Sequence, residues 1–278
     1  DSMQVYQGMD IGTAKATAPE QALVPHHMLD LVQPSESFDV AMYLDEVRGL
    51  LSELSESGRR YLFIGGTAFW LRALHRGLFD GPSRDEELRG RLSAQLEAEG
   101  AEALHERLRR VDPASAERLH PNDTRRVVRA IEVFELSGTP LSTQQREWGW
   151  HNSSSASKRD ARVVGIVAEG DTYERRLRAR VAGMLDAGWM EEATLIREGC
   201  GFGFTAAKAL GYQEVLALAD GELEQDACLD EITLRTRQFA RKQRTWYRKL
   251  EDAHWIEAPQ EGELSRSAED AAAKLGLR

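Results

Sequence analysis

Tyr61-Leu62-Phe63-Ile64-Gly65-Gly66-Thr67 is the stretch on which the fold turns. Four consecutive apolar residues suit a buried strand, two glycines break it, and a helix-like stretch follows. Strand, glycine turn and helix form the α/β unit. A Gly-Gly-Thr turn there presents backbone N–H groups and a hydroxyl at a helix N-terminus, which suits an anion. A tight turn that merely needs glycine has the same sequence. Both readings stand at this point.

Outward from that turn, the periodicity predicts a helix from about Ser37. Val40, Tyr43, Leu44, Val47, Leu50, Leu51 and Leu54 share its spacing, and Gly58 stops it. From Gly81 to Trp150 the chain reads as charged amphipathic helices: Leu88, Leu92 and Leu96, then Leu104 and Leu108, then Val127 to Leu136 ending at Gly138. The stretch 149–160, rich in Ser, Asn and Lys, reads as a loop. Ala161 to Ala168, with Val163-Val164-Gly165-Ile166-Val167 inside it, reads as a second buried strand and His254-Trp255-Ile256 as a third, with Asp171-x-x-Glu174 as a capping box between them. The basic stretch 232–250 reads as a helix. We therefore expect an α/β protein with a parallel sheet: a core over 1–80, a mainly helical insertion over 81–150, and the rest of the core with C-terminal helices over 151–278.

The 278 residues carry 41% hydrophobic side chains, enough for a core. No run nears 18 apolar residues and no charged-then-apolar leader opens the sequence, so a cytoplasmic, non-membrane protein is expected. Cys200 and Cys228 have neither zinc spacing nor the look of a disulfide framework. The net charge of −10 argues against a polyanionic partner on average. Affinity for phosphates depends on where the cations sit, however, and Ile232 to Leu250 holds seven (Arg235, Arg237, Arg241, Lys242, Arg244, Arg248, Lys249) with no acidic residue. Phe239, Gln243, Trp246 and Tyr247 interleave with them, a pattern suited to RNA phosphates and unstacked bases, and equally to a helix with one core face.

Two other stretches invite chemistry. Asp1-Ser2-Met3-Gln4-Val5-Tyr6, followed by Asp10 to Lys15, sets carboxylates, hydroxyls, an amide and a lysine together with few core-filling residues; turn chemistry is the alternative. In His120 to Arg129, Arg126 and Arg129 share one helix face, either for binding or as a solvated face paired to Glu132.

In this order, DSMQVYQGMDIGTAK at 1–15, VPHHMLDLVQPSE at 24–36, FIGGTAFWLRAL at 63–74, HPNDTRRVVRAIEVFELSG at 120–138, KALGYQEV at 208–215 and TRQFARKQRTWYR at 236–248 resemble the tRNA dimethylallyltransferase (tRNA isopentenyltransferase) family, from residue 1 to about Trp255. The resemblance implies a P-loop-NTPase-like α/β core and transfer of a dimethylallyl group from its diphosphate to N6 of the adenosine 3′ of the anticodon. It implies tRNAs that read codons beginning with U, and a target base flipped into a tunnel. It makes Asp1 the general base, and gives Thr67 and Arg180 to the diphosphate. Asp1, Ser2, Met3, Gln4, Thr67, Arg89, Arg125, Arg126, Arg129, Lys208, Gly211, Tyr212, Gln213, Arg241, Lys242, Arg244, Trp246 and Arg248 match its tRNA-contacting positions. The expected partners are the tRNA anticodon stem-loop and dimethylallyl diphosphate, the expected cofactor is Mg²⁺, and a monomer is the default.

The family's opening strand and P-loop have no counterpart here, since G-x-x-x-x-G-K-[ST] occurs nowhere in the sequence. The expectation is a core whose N-terminal strands are missing, with no metal ligand of its own and too little of the diphosphate cradle to be active as written. No Cys/His pattern follows residue 250, which points to a bacterial type. The alternatives are an adenine-nucleotide prenyltransferase, or an RNA-binding remnant without catalysis.

Overall fold

The computed structural model describes residues 1–76, 81–82, 85–145, 162–168, 170–248, 250, 253–259 and 263–277; the expected loop at 149–160 lies outside them. Two compact units divide the chain, one of residues 1–75 with 160–278 and one of residues 76–159.

The first unit contains α1 (Ala18–Leu23), α2 (Val40–Glu56) and α3 (Ala68–Arg76), then β1 (Val163–Val167), α8 (Gly170–Asp186), α9 (Trp189–Glu198), α10 (Tyr212–Ala219), α11 (Gln225–Tyr247), β2 (Ala253–Glu257) and α12 (Leu264–Leu275). The second contains α4 (Glu86–Val111), α5 (Pro113–Arg118), α6 (Thr124–Ser137) and α7 (Leu141–Gln145).

β1 and β2 pair in parallel, from Val163↔Ala253 to Val167↔Glu257. Gly165 faces Trp255 in that register, and a Cβ on Gly165 would stand 2.5 Å from the indole ring. Glycine therefore lets the indole lie across the neighbouring strand. The expected strand at 61–64 is a correction: it forms no strand among the described residues, and Tyr61, Leu62, Phe63 and Ile64 are 50, 54, 38 and 78% exposed. An apolar run supplies hydrophobicity, whereas a strand also needs a neighbour to accept its ladder of hydrogen bonds.

Asp39 caps α2 by accepting from the N–H groups of Ala41 and Met42, and the helix buries Tyr43, Leu44, Val47 and Leu51. Trp70 of α3 packs on Tyr43, ring centroids 4.5 Å apart, and on Phe38 at 5.7 Å, so the helix after the Gly-Gly-Thr turn is pinned to α2. α8 starts at Gly170, whose φ is 81°; the Asp171 side chain of the expected capping box lies outside those described. The basic helix α11 begins seven residues before the expected position. Cys228 and Ile232 carry its buried face, so apolar packing, not the acid-free span, sets its start.

In the second unit, Gly100 (φ 85°, ψ 171°) breaks α4 into two helical arms. Leu88 and Leu92 on one arm and Leu104 and Leu108 on the other join Val127, Ala130, Ile131, Val133 and Leu141 in one core. Gly138 ends α6 in the left-handed region, as its position after the apolar repeat predicts. A buried charge sits at the edge of this core. Glu132, whose side chain is 0% exposed, takes Arg89 Nε at 2.8 Å and Nη2 at 2.9 Å, Arg129 Nη1 at 2.6 Å and the Asp85 N–H at 3.0 Å. Arg129 also donates to the Pro82 carbonyl at 2.8 Å. Burial pushes the Glu132 carboxyl up, but the hydrogen bonds from Arg89, Arg129 and Asp85 outweigh it and hold it below the usual range.

Removing one member of such a network strands the others. Glu132→Ala is expected to destabilise this unit by about 3–5 kcal/mol, measured by urea unfolding and amide exchange in α4 and α6. Because the folded carboxyl is depressed, its stabilisation is fully present above the ordinary glutamate range. It is lost as pH falls through the lowered folded value. The parent's urea midpoint should thus fall in acid more steeply than that of Glu132→Ala.

Candidate active site

The first residues lie alongside residues 30–32. Leu31 N donates to Val5 O at 2.7 Å, Gln7 N to Val32 O at 2.9 Å, and Tyr6 bridges Val32 in parallel. Val5, Tyr6 and Met9 are 0% exposed, so a segment expected to contain few core residues anchors the core. Ser2 Oγ lies 2.9 Å from Thr67 Oγ1. The Gln4 amide donates to the carbonyls of Thr13 and Ala14, both at 3.0 Å. Asp1 is exposed, and its Oδ1 accepts the Met3 N–H at 2.9 Å. A Cβ on Gly65 would stand 3.8 Å from the Asp1 nitrogen. Asp1, Ser2 and Thr67, distant in sequence, thus meet at the Gly-Gly-Thr turn.

A third element reaches the same turn. Gln243 of α11 donates from Nε2 to the Gly66 carbonyl at 2.9 Å, and a Cβ on Gly66 would run into that amide. Gly66 is therefore glycine for close approach as well as for the turn. Sequence reasoning placed Gln243 only among the residues that interleave with the cations.

Lys15, which sequence reasoning grouped with possible chemistry, is a buttress. Its side chain is 3% exposed, and Nζ donates to Tyr6 O at 2.8 Å, to Asp10 Oδ1 at 2.5 Å and to Asp30 Oδ1 at 2.6 Å. Beside it, Glu192 of α9 accepts the N–H groups of Asp10 (2.8 Å), Ile11 (2.7 Å) and Gly12 (3.1 Å), and the Tyr212 hydroxyl at 2.6 Å. Burial first, then the Glu192 carboxylate, pushes the Tyr212 hydroxyl up, so it stays a donor. A Cβ on Gly12 or on Gly211 (φ 92°) would collide with Trp189. Gly211 and Tyr212, expected to touch RNA, are therefore fully engaged in packing, and Tyr212 has no exposed surface. Glu192 escaped sequence reasoning because two acids in the first turn of a helix ordinarily complement its dipole.

Among the other residues expected at the RNA, Lys208 is exposed with Nζ 3.1 Å from the Phe204 ring centroid, and Gln213 is exposed. Arg241, Lys242 and Arg248 are exposed on α11 and its cap. Arg244 and Arg248 line a cavity of about 230 Å³ with Val167 and Trp255, at the carboxyl end of β1. Trp246 is 37% exposed. Arg180 is exposed on α8, and no described hydrogen bond or ion pair ties it to Thr67. In the helical unit Arg125 is exposed, Arg126 pairs with Asp123 at 3.3 Å, and Arg89 and Arg129 are committed to Glu132. Both pair with that carboxylate while keeping partly exposed side chains, 28% for Arg89 and 29% for Arg129.

A parallel pair of strands, a glycine turn at a helix start and a basic helix leaning on that turn define an α/β protein. The chain belongs to the IPP transferase family, whose model matches residues 4–250. It is 41% identical over 260 residues to the tRNA dimethylallyltransferase of Geobacter sulfurreducens, covering 93% of this chain and 82% of that one. Against tRNA dimethylallyltransferase 2 of Syntrophus aciditrophicus it is 38% identical over 271 residues, covering 96% and 85%. The full-length tRNA isopentenylpyrophosphate transferase of Bacillus halodurans superposes with a TM-score of 0.65 at 34% identity, covering 100% of this chain and 87% of that one. A eukaryotic dimethylallyltransferase that acts on tRNA shares the fold, with a TM-score of 0.77 at 24% identity, covering 98% and 70%. The fold is the P-loop-NTPase-like one of these structures.

Glu192→Ala is expected to lower stability by about 2–4 kcal/mol, because it leaves backbone donors and the Tyr212 hydroxyl without their acceptor. Faster amide exchange at 10–12, ahead of the rest of the unit, is the measurement that checks it.

Proposed function

We propose that the protein transfers the dimethylallyl group of dimethylallyl diphosphate to N6 of the adenosine immediately 3′ of the anticodon, in tRNAs reading codons beginning with U. The observation that carries the reading is the meeting of Asp1 and Ser2, the Gly65–Thr67 turn and basic helix α11 at one place, in a member of this family. An exocyclic adenine amine is a weak nucleophile, because its lone pair is conjugated with the ring. In the proposed reaction N6 forms a bond to the allylic carbon and the carbon–oxygen bond to diphosphate breaks. Diphosphate leaves with the bonding pair, and the Asp1 carboxylate takes the N6 proton. Thr67, its hydroxyl oriented by Ser2 at 2.9 Å, and the N–H groups of the turn receive the leaving charge. Arg180 is proposed as a further cation for it.

Mg²⁺ is proposed as the ion that travels with the diphosphate. Among the described residues no group of three or more His, Cys, Asp or Glu side chains is placed to hold a metal ion. The ion would be carried by substrate phosphates and water, with no side chain of this chain assigned to it. Such an ion neutralises charge on the departing diphosphate.

tRNA is favoured over a free adenine nucleotide by α11, whose exposed Arg241 and Lys242 suit an extended phosphate backbone, and by the tRNA-directed names of the relatives. Lys208 and Gln213 extend that proposed surface, and Arg125 is a separate proposed contact on the helical unit itself. No helix among the described residues is long and apolar enough to cross a membrane. A cytoplasmic monomer is the proposed working form.

Two measurements on the full-length protein test the reading. Replacing Arg241 and Lys242 together by Ala should weaken tRNA binding and flatten its salt dependence, by about one unit of slope for each phosphate no longer neutralised. Asp1→Asn should preserve tRNA binding and lower turnover by about 10² or more. Prenylation at the parent rate would remove Asp1 from the mechanism.

A further inference from the structure

Gln243 sits directly after Arg241 and Lys242, yet it faces inward. It is half-buried, and its amide is spent on the Gly66 carbonyl at 2.9 Å. A peptide group is planar and trans, so its C=O and the following N–H point in opposite directions. Holding the Gly66 carbonyl against α11 therefore aims the Thr67 N–H away from α11. The Thr67 side chain is held separately, by Ser2 Oγ at 2.9 Å. One residue is thus oriented twice: its hydroxyl from the segment that carries Asp1, and its backbone donor from the basic helix.

We infer that Gln243 is a positioning residue that couples RNA docking on α11 to the direction of the Thr67 N–H, and so to the turn that receives the diphosphate. The inference rests on the proposed function. An RNA phosphate neutralising Arg241 and Lys242 acts within one turn of the same rigid helix, and Gln243 passes its position to the Gly66–Thr67 peptide. Gly66 is the matching feature, because a side chain there would evict the amide. A direct role for Gln243 in gripping RNA would leave that fit unexplained.

The test compares Gln243→Ala with the parent full-length protein, using unmodified tRNA, dimethylallyl diphosphate and Mg²⁺. Thermal unfolding of each variant is followed to verify folding. At saturating substrates kcat should fall about tenfold or more, since a misdirected donor costs the transition state. The tRNA Kd and its salt slope should stay within about twofold, since no phosphate-binding cation is removed. Gly66→Ala should also lower kcat in the parent, and add less than about twofold in the Gln243→Ala background, because the collision is then gone. Unchanged kcat, an effect confined to the tRNA Kd, or multiplying effects in the double variant would each overturn the inference. Without substrates the Thr67 amide proton resonance should shift in Gln243→Ala as the Gly66–Thr67 peptide turns. If the parent prenylates no tRNA, the functional reading fails, and an unmoved Thr67 resonance still overturns the role of Gln243.

Discussion

The Glu192 carboxylate is the constraint on which the site depends. A short loop with three backbone donors in a row needs an acceptor, and leaving the partly buried ones unpaired costs stability. Glu192 supplies it from α9 to Asp10, Ile11 and Gly12, and takes Tyr212 from α10 as well. Lys15 closes the other end of that loop through Tyr6, Asp10 and Asp30. Gln4 binds the middle. The stretch from Ser2 to Tyr6 is therefore held by charges fixed on both sides of the loop that follows it. Placing Asp1 and Ser2 beside a turn 65 residues away requires this kind of rigidity, because a loose strand end loses alignment at the scale that matters for proton transfer.

Helices α2 and α6, and the strand pair, were legible because periodicity and punctuation agreed. Apolar residues at helical spacing ended at Gly58 and Gly138, and Val163–Val167 had a β-branched apolar core. What misled was chemistry standing in for geometry. The acid-free span from Ile232 marked where the charge begins, while Cys228 and Ile232 decided where helix α11 is buried. The run Tyr61–Ile64 had strand composition, but pairing is a property of two segments and cannot be read from one. In the site, the Gly-Gly-Thr turn and the Asp-Ser segment were visible as residue types, and their meeting was not. Glu192 and Gln243 act through backbone groups of distant loops, and no local pattern encodes which loop a carboxylate or amide will reach.

By the family resemblance Arg89, Arg129, Tyr212 and Gly211 match tRNA-contacting positions, and each also has a buried partner or a packing role inside the protein. Motif position thus marked regions whose architecture matters, without separating residues that would touch a ligand from those that hold the wall behind it.

The same separation resolves the conflict between a net charge of −10 and a polyanionic substrate. Along α11 the first two cations are matched within the protein, Arg235 by buried Glu214 and Arg237 by Glu174. Exposed charge returns at Arg241 and Lys242, one helical turn further on and beside the amide that grips the Gly66 carbonyl. Acidic residues elsewhere are screened from this patch within about 10 Å at moderate salt, so the average charge has little hold on local affinity. They can still repel a polyanion approaching any other face. Exposed cations on α11 of a chain that is acidic on average therefore favour docking on that helix, which touches the turn.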